Sequence, residues 1–152
     1  MTVVIAIEPP RQAEVMRLLE LSDAYAASLY PAESNHMVDV ATLEKPVVSF
    51  FVARREGTVL GCGALVAAED GTGEIKRMFV AEAARGLKLG KQLIEAILER
   101  AGELSLSVVR LETGIHQPQA IGLYRAYGFT EIGPFADYRS DPLSIFMEKR
   151  LS

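Results

Sequence analysis

Residues 73–113 constrain the fold more than any other part of this chain. Gly73-Glu74-Ile75-Lys76-Arg77-Met78-Phe79-Val80 reads as a strand, and residues 108–113 read as another. Between them Leu93, Ile94, Ile97, Leu98, Ala101 and Leu104 recur at helical spacing and make one apolar stripe. A strand, an amphipathic helix and a second strand in that order form a parallel βαβ unit. The turn into its helix, Arg85-Gly86-Leu87-Lys88-Leu89-Gly90-Lys91, carries two glycines among cations. Free N–H groups at a helix start, with the positive end of the helix dipole, bind anions without side chains, and glycines allow close approach. The expected bracket of cations is Lys76, Arg77, Arg85, Lys88 and Lys91, in a chain whose net charge is −4. The turn lies at a strand's carboxyl end, where α/β sheets bind ligands, so it is read as a pyrophosphate loop. An ordinary strand-to-helix connection with surface lysines is the competing reading.

The remaining chain supplies flanking layers. Residues 2–7 form a first strand, and Pro9-Pro10 opens a helix with Val15, Leu18, Leu19, Ala26 and Leu29 on its apolar face, ending near Tyr30-Pro31. A Pro-, Ser- and Asn-containing loop over residues 30–36 leads to a short helical piece at residues 38–43. Residues 47–54 and 58–67, joined at Arg55-Glu56-Gly57, make a hairpin, and Asp70-Gly71 turns into the strand ending at Val80. Pro118 suits the first position of a helix over residues 118–127, and residues 129–132 and 143–149 complete the strands. The order β-α-α-β-β-β-α-β-α-β-β predicts an α/β fold, a central mixed sheet with helices on both faces.

With 152 residues and 49% apolar composition, one domain over residues 1–152 with one well-formed core is expected. The acidic balance argues against a nucleic-acid or acidic-membrane surface and fits a small-molecule or basic-amine partner. Cys62 has no second cysteine to pair with, and His36 and His116 lie far apart, so no metal site is expected. Cys62 reads as a small buried strand residue. The apolar run at residues 3–7 is too short for a signal-peptide core or a membrane span, and a cytoplasmic location is expected.

Two separated motifs resemble the GNAT superfamily of N-acetyltransferases. Arg85-Gly86-Leu87-Lys88-Leu89-Gly90 is similar to the family's acetyl-CoA signature Gln/Arg-x-x-Gly-x-Gly/Ala. Gln117-Pro118-Gln119-Ala120-Ile121-Gly122-Leu123-Tyr124-Arg125-Ala126-Tyr127-Gly128-Phe129 resembles its Asn-x-x-Ala-x-x-Leu-Tyr-x-x-x-Gly-Phe. The likeness extends over nearly the whole chain and implies direct acetyl transfer from acetyl-CoA to a primary amine of a small molecule or peptide. Lys88 stands where the signature has its first glycine and either bends the loop or adds a cation beside the phosphates. Gln117 replaces the usual Asn and is one methylene longer.

The resemblance further implies that the strand ending at Met78, Phe79 and Val80 splays from its neighbour and pairs with the pantetheine amides. Pyrophosphate is then expected on Gly86, Leu87, Lys88, Leu89, Gly90 and Lys91, with Arg85 and Lys88 as charge support, and Gln117 as a further cofactor contact. Tyr124 occupies the position of the family's tyrosine that faces the departing sulfur; the alternative is a core tyrosine. An amine that is mostly protonated at neutral pH needs a proton acceptor. Glu74, on the alternating face of Lys76 and Met78, is placed ahead of Glu112, and each reads equally as a solvated or ion-paired strand carboxylate. Acceptor contacts are expected from Tyr30, Glu33, Ser34 and His36 on one side and Tyr138 and Arg139 on the other, Arg139 suiting an acceptor carboxylate. A non-catalytic acyl-CoA-binding module with the same fold is the alternative function, and a homodimer is compatible with the β-rich C-terminal segment.

Overall fold

The computed structural model describes residues 2–84 and 86–151. Its strands are β1 (Val3–Ile7), β2 (Val48–Arg55), β3 (Thr58–Ala67), β4 (Thr72–Val80), β5 (Val108–Gly114), β6 (Thr130–Ile132) and β7 (Ser144–Arg150). Its α-helices are α1 (Ala13–Leu29), α2 (Val40–Leu43), α3 (Leu89–Glu103) and α4 (Pro118–Ala126). The strands form one mixed sheet in the order β1-β2-β3-β4-β5-β7-β6, in which β4 and β5 run parallel and the other neighbours antiparallel. The expected α/β architecture is therefore present. In the β2–β3 turn Glu56 and Gly57 both have positive φ, the combination that lets a two-residue turn follow the strands' twist.

Each face carries its own core. Under α3 and α4, Leu89, Leu93, Ile94 and Ile97 pack with Ile75, Val109, Leu111, Tyr124 and Met147. Under α1 and α2, Val15, Leu18, Leu19 and Leu43 meet Phe50, Val52, Cys62 and Ala64. Each fully buried Leu or Ile contributes about 2 kcal/mol by leaving water. Cys62 is one of these packed residues: its Sγ–H donates to the Arg77 carbonyl at 3.2 Å, and burial pushes the thiol pKa up to about 12. The helix expected at Pro9-Pro10 starts later, at Ala13, because Glu8 still pairs with the sheet, the Gln12 N–H closes a tight turn on the Pro10 carbonyl at 3.0 Å, and Gln12 itself is extended. Glu8 N–H donates to the Phe50 carbonyl, and the Glu8 carboxylate binds the Arg54 guanidinium.

Two irregularities in β4 shape everything that follows. The pairing of β3 with β4 runs from Ala64↔Lys76 to Cys62↔Phe79, so Arg77 and Met78 together face Gly63. This is a β-bulge, with Arg77 at φ 57°. A Cβ on Gly63 would lie 2.5 Å from Met78 Sδ, so the glycine makes the room that the bulge fills. One extra residue reverses the alternation beyond it. Glu74 and Lys76 share one face, whereas Met78 packs with the α3 cluster on the other, which corrects the expectation that all three point the same way. Secondly, β4 pairs with β5 only from Thr72↔Val108 to Ile75↔Leu111, and beyond Ile75 the two strands part.

Candidate functional site

The parted strands lie next in sequence to the glycine turn. Gly86 has φ +90°, a conformation L side chains rarely adopt, and Leu87 N–H closes the turn on the Ala84 carbonyl at 3.1 Å. Lys88 caps α3 at φ 59°, ψ 36°, in the left-handed region that its glycine counterpart in the signature would occupy freely. The lysine thus keeps the backbone path of the motif and leaves its exposed ammonium outside the turn. The helix's internal ladder begins with Gln92 N–H to the Lys88 carbonyl, so the N–H groups of Leu89, Gly90 and Lys91 are those a helix start leaves for an anion. No carboxylate occupies the first turn of α3. Leu89 itself is buried in the core, and only its backbone can serve a ligand. A Cβ on Gly90 would stand 3.0 Å from Leu123 Cδ2, so this glycine also permits the approach of α4. Arg85 lies outside the described residues. Lys76 and Arg77, expected to bracket the turn, do not: Lys76 points into a cleft on the opposite face, and Arg77 is buried under α1.

Tyr124 on α4 is 6% exposed and packs edge-on against Phe129 with ring centroids 5.7 Å apart. Burial, and secondarily the charge of Glu112, raise its hydroxyl pKa well above that of a free tyrosine, so it holds its proton at any working pH. Among the described residues nothing hydrogen-bonds that hydroxyl, which leaves it available as a donor. Glu112 follows Leu111, the last residue of β5 to pair with β4. Burial pushes its carboxyl above the ordinary value of 4.5, against the opposing pull of a hydrogen bond from Ser144 Oγ at 2.8 Å and of the charges of His36 and Lys76.

On the face of α1 and α2 a cleft of about 600 Å³ is lined by Glu33, His36, Glu74, Lys76, residues 136–140 and Asp141. Its floor is a polar cluster. Tyr138 Oη donates to Glu74 Oε2 at 2.5 Å and accepts from Lys76 Nζ, and Lys76 lies 3.2 Å from the same carboxylate oxygen. Lys76 Nζ also donates to the His36 carbonyl at 3.2 Å and sits 4.9 Å from the centre of the Tyr138 ring. The Tyr138 ring meets His36 edge-on and packs with Phe135 and Phe146. Burial, followed by the Glu74 hydrogen bond, raises the Tyr138 hydroxyl pKa strongly. His36 Nε2 is buried and has no partner among the described residues. The cleft therefore offers carboxylates, an imidazole and the Arg139 guanidinium to a polar guest.

Four of the six residues expected to contact an acceptor line this cleft: Glu33, His36, Tyr138 and Arg139. The other two are turned to structural use. Ser34 is buried and its Oγ donates to Asp141 Oδ2 at 2.7 Å, tying the short 3-10 turn at Ala32–Ser34 to the loop that follows β6. Tyr30 is 8% exposed, accepts the His116 N–H at 3.0 Å, donates to Gln117 Oε1 at 3.4 Å and stacks on the His116 ring. Gln117, expected beside the cofactor, spends its side-chain carbonyl on Tyr30. Sequence reading missed the place of Lys76 in the cleft, although its spacing of two from Glu74 on a strand puts both on one face. No sequence signal announced Ser144 as the partner of Glu112, or Asp137 and Asp141 as cleft walls.

This geometry has close counterparts. The profile of the acetyltransferase (GNAT) family matches residues 15–129. An IAA acetyltransferase of Azospirillum brasilense is 53% identical over 150 residues, covering 98% of each chain. A crystal structure of a Klebsiella pneumoniae protein assigned as an acyl-CoA N-acyltransferase superposes with a TM-score of 0.88 at 37% identity, over 99% of each chain. The PaiA N-acetyltransferase of Thermoplasma acidophilum, solved in complex with coenzyme A, shares the fold at a TM-score of 0.77 and 15% identity, with 99% of each chain covered. A family profile over most of the chain and a relative at this identity over nearly all of it lead to one assignment: this chain belongs to the GNAT family of acetyltransferases.

Proposed function

We propose that this acetyltransferase moves the acetyl group of acetyl-CoA directly onto a primary amine of a small molecule or peptide seated in the cleft of Glu33, His36, Tyr138 and Arg139. The observation that carries the reading is the parting of β4 from β5 after Ile75, between an anion-ready helix start and a polar cleft. Acetyl-CoA supplies the activated thioester. The backbone of Gly86, Leu87, Lys88, Leu89, Gly90 and Lys91 binds pyrophosphate, with the ammonium groups of Lys88 and Lys91 as charge support. The unpaired edge of Met78, Phe79 and Val80 binds the pantetheine amides as an added strand would, and an N–H there polarises the thioester carbonyl. The Tyr124 hydroxyl gives its proton to the departing sulfur.

For the proton of the incoming ammonium we assign Glu112 rather than Glu74. The Glu74 carboxylate is already engaged by Lys76 and Tyr138, both on the same oxygen, Oε2. Among the described residues Glu112 has one hydrogen-bond donor, Ser144, and burial raises its pKa above the ordinary value of 4.5, which makes it the stronger proton acceptor. Arg139 suits an acceptor that also carries a carboxylate. The relative from Azospirillum brasilense supports an acetyltransferase, and the Thermoplasma structure supports coenzyme A as the carrier that this fold accepts. One domain over residues 1–152, working in the cytoplasm, completes the reading; no helix among the described residues is long and apolar enough to cross a membrane.

The test pairs binding with turnover. Acetyl-CoA at about a hundred times its dissociation constant should stabilise the protein by about 2.7 kcal/mol in a thermal titration. An amine panel followed by thiol release should then find an acceptor. Tyr124→Phe should lower kcat at least tenfold with acetyl-CoA binding kept within twofold. Unchanged kcat would remove Tyr124 from the proton step, and binding without turnover of any amine would favour the non-catalytic module.

A further inference from the structure

The guanidinium of Arg77 is the one deeply buried cation that the proposed chemistry leaves unused among the described residues. Its side chain is 3% exposed, although an arginine in a strand usually keeps its head in water. Nη1 lies 2.5 Å from Asp23 Oδ1 on α1, Nη2 is 3.4 Å from the Leu19 carbonyl, and Nε has no partner among the described residues. Arg77 is also the residue at φ 57° in the β3–β4 bulge. A left-handed arginine with a desolvated charge is a doubly unfavourable choice for a strand, and such features persist where the surroundings hold them in place.

Those surroundings place the bulge between two layers. On one face Met78 fills the space over Gly63 and packs with α3; on the other Arg77 reaches through to α1. The residues that follow are Met78, Phe79 and Val80, the segment that has left β5. A bulge bends and twists its strand, and this one comes just after the last β4–β5 pair. Asp23 lies two helical turns before Tyr30, whose hydroxyl ties the end of α1 to the turn between β5 and α4. The carboxylate that holds the bulge thus sits on a helix fixed at its far end to the other side of the parted strands.

We propose that the Arg77–Asp23 ion pair is a positioning device: it locks the bulge in β4 and so holds the free edge of Met78, Phe79 and Val80 at the spacing and direction that acetyl-CoA requires. Arg77 and Asp23 touch neither substrate and act through that edge. This inference rests on the reading of the edge as the donor site.

The experiment measures acetyl-CoA affinity by calorimetry and the KM of each substrate for Arg77→Met, Arg77→Lys, Asp23→Ala and Asp23→Glu. Leu43→Ala, which removes core packing under α2 and leaves both members of the ion pair in place, serves as a control of comparable destabilisation. The expected result is a loss of acetyl-CoA affinity of tenfold or more in Arg77→Met and Asp23→Ala. The amine KM should stay within about twofold, Asp23→Glu should recover most of the affinity, and Leu43→Ala should lower Tm without weakening acetyl-CoA. If Arg77→Met does not fold, the two Asp23 variants decide, because that side chain is more than half exposed. Asp23 variants that melt earlier but bind acetyl-CoA as the parent does would overturn the proposal and leave the pair a stabilising contact. A parent protein that fails to bind acetyl-CoA would instead overturn the donor-site reading on which the proposal stands.

Discussion

Gly114→Ala tests the contact that redefined Tyr30. A Cβ on Gly114 would stand 1.9 Å from Tyr30 Oη, 2.1 Å from Cζ and 2.7 Å from Cε1. Non-bonded heavy atoms settle at about 3.5–4.0 Å, so the ring must withdraw by more than an ångström. It has little room, since its hydroxyl holds the His116 N–H and its ring stacks on the imidazole with centroids 5.4 Å apart. Overpacking costs about 1–3 kcal/mol. Breaking the hydroxyl's hydrogen bonds adds about 1 kcal/mol. A total near 3 kcal/mol should lower Tm by roughly 10 °C for a chain of this size. The assay is a double-mutant cycle by thermal and urea unfolding with Gly114→Ala, Tyr30→Leu and the pair. Leucine lacks the ring tip that the new methyl meets, so the double variant should be more stable than the sum of the singles by at least about 1 kcal/mol. Additivity within about 0.5 kcal/mol would show that the two residues are not in contact, and the pinning role assigned to Tyr30 would fall.

Two further outcomes are expected. Lys88→Gly relieves a left-handed lysine and should stabilise the fold by about 0.5–1 kcal/mol in urea unfolding, while weakening coenzyme A binding if the ammonium supports the phosphates; loss of stability would contradict the backbone role. Glu112 gives a pH signature whose sign is fixed by linkage. Its pKa is raised in the fold, so between the ordinary value of 4.5 and the raised one the folded state binds more protons and loses stability as pH rises. Glu112→Gln has no such loss, and its stability relative to the parent should grow across that window and then level off. The parent's kcat/KM should rise through the same window as the base ionises, and the variant should lack that limb; a stability difference that is flat with pH would refute the buried carboxyl.

Much of the donor side was legible in sequence because it depends on local spacing. The strand before the glycine turn, the stripe from Leu93 to Ala101 in α3 and the placement of Pro118 at the start of α4 are short-range patterns, and the structure has each of them. Lys88 was legible as a departure but not in its effect, because a motif does not say whether a non-glycine residue will accept φ 59°. The acceptor side was harder. Glu33 and His36 come from the loop after α1, Glu74 and Lys76 from β4, and Tyr138 and Arg139 from the loop after β6, and only folding makes them neighbours. Residue type suggested most of them, yet Ser34 and Tyr30 have the same chemistry and are consumed by internal hydrogen bonds.

The sequence by itself determined the order of elements, the one parallel strand-helix-strand unit and the family motifs, since these follow from side-chain period and backbone requirements within a few residues. The tertiary structure decided which way those residues face. Strict alternation put Glu74, Lys76 and Met78 on one side, and a single inserted residue at Arg77 sent Met78 to the other. That insertion is set by Gly63 on the next strand and accompanied by an ion pair to Asp23, fifty-four positions away in the chain. A period of two has no memory of a partner strand, so no reading of β4 alone could find the place where it breaks.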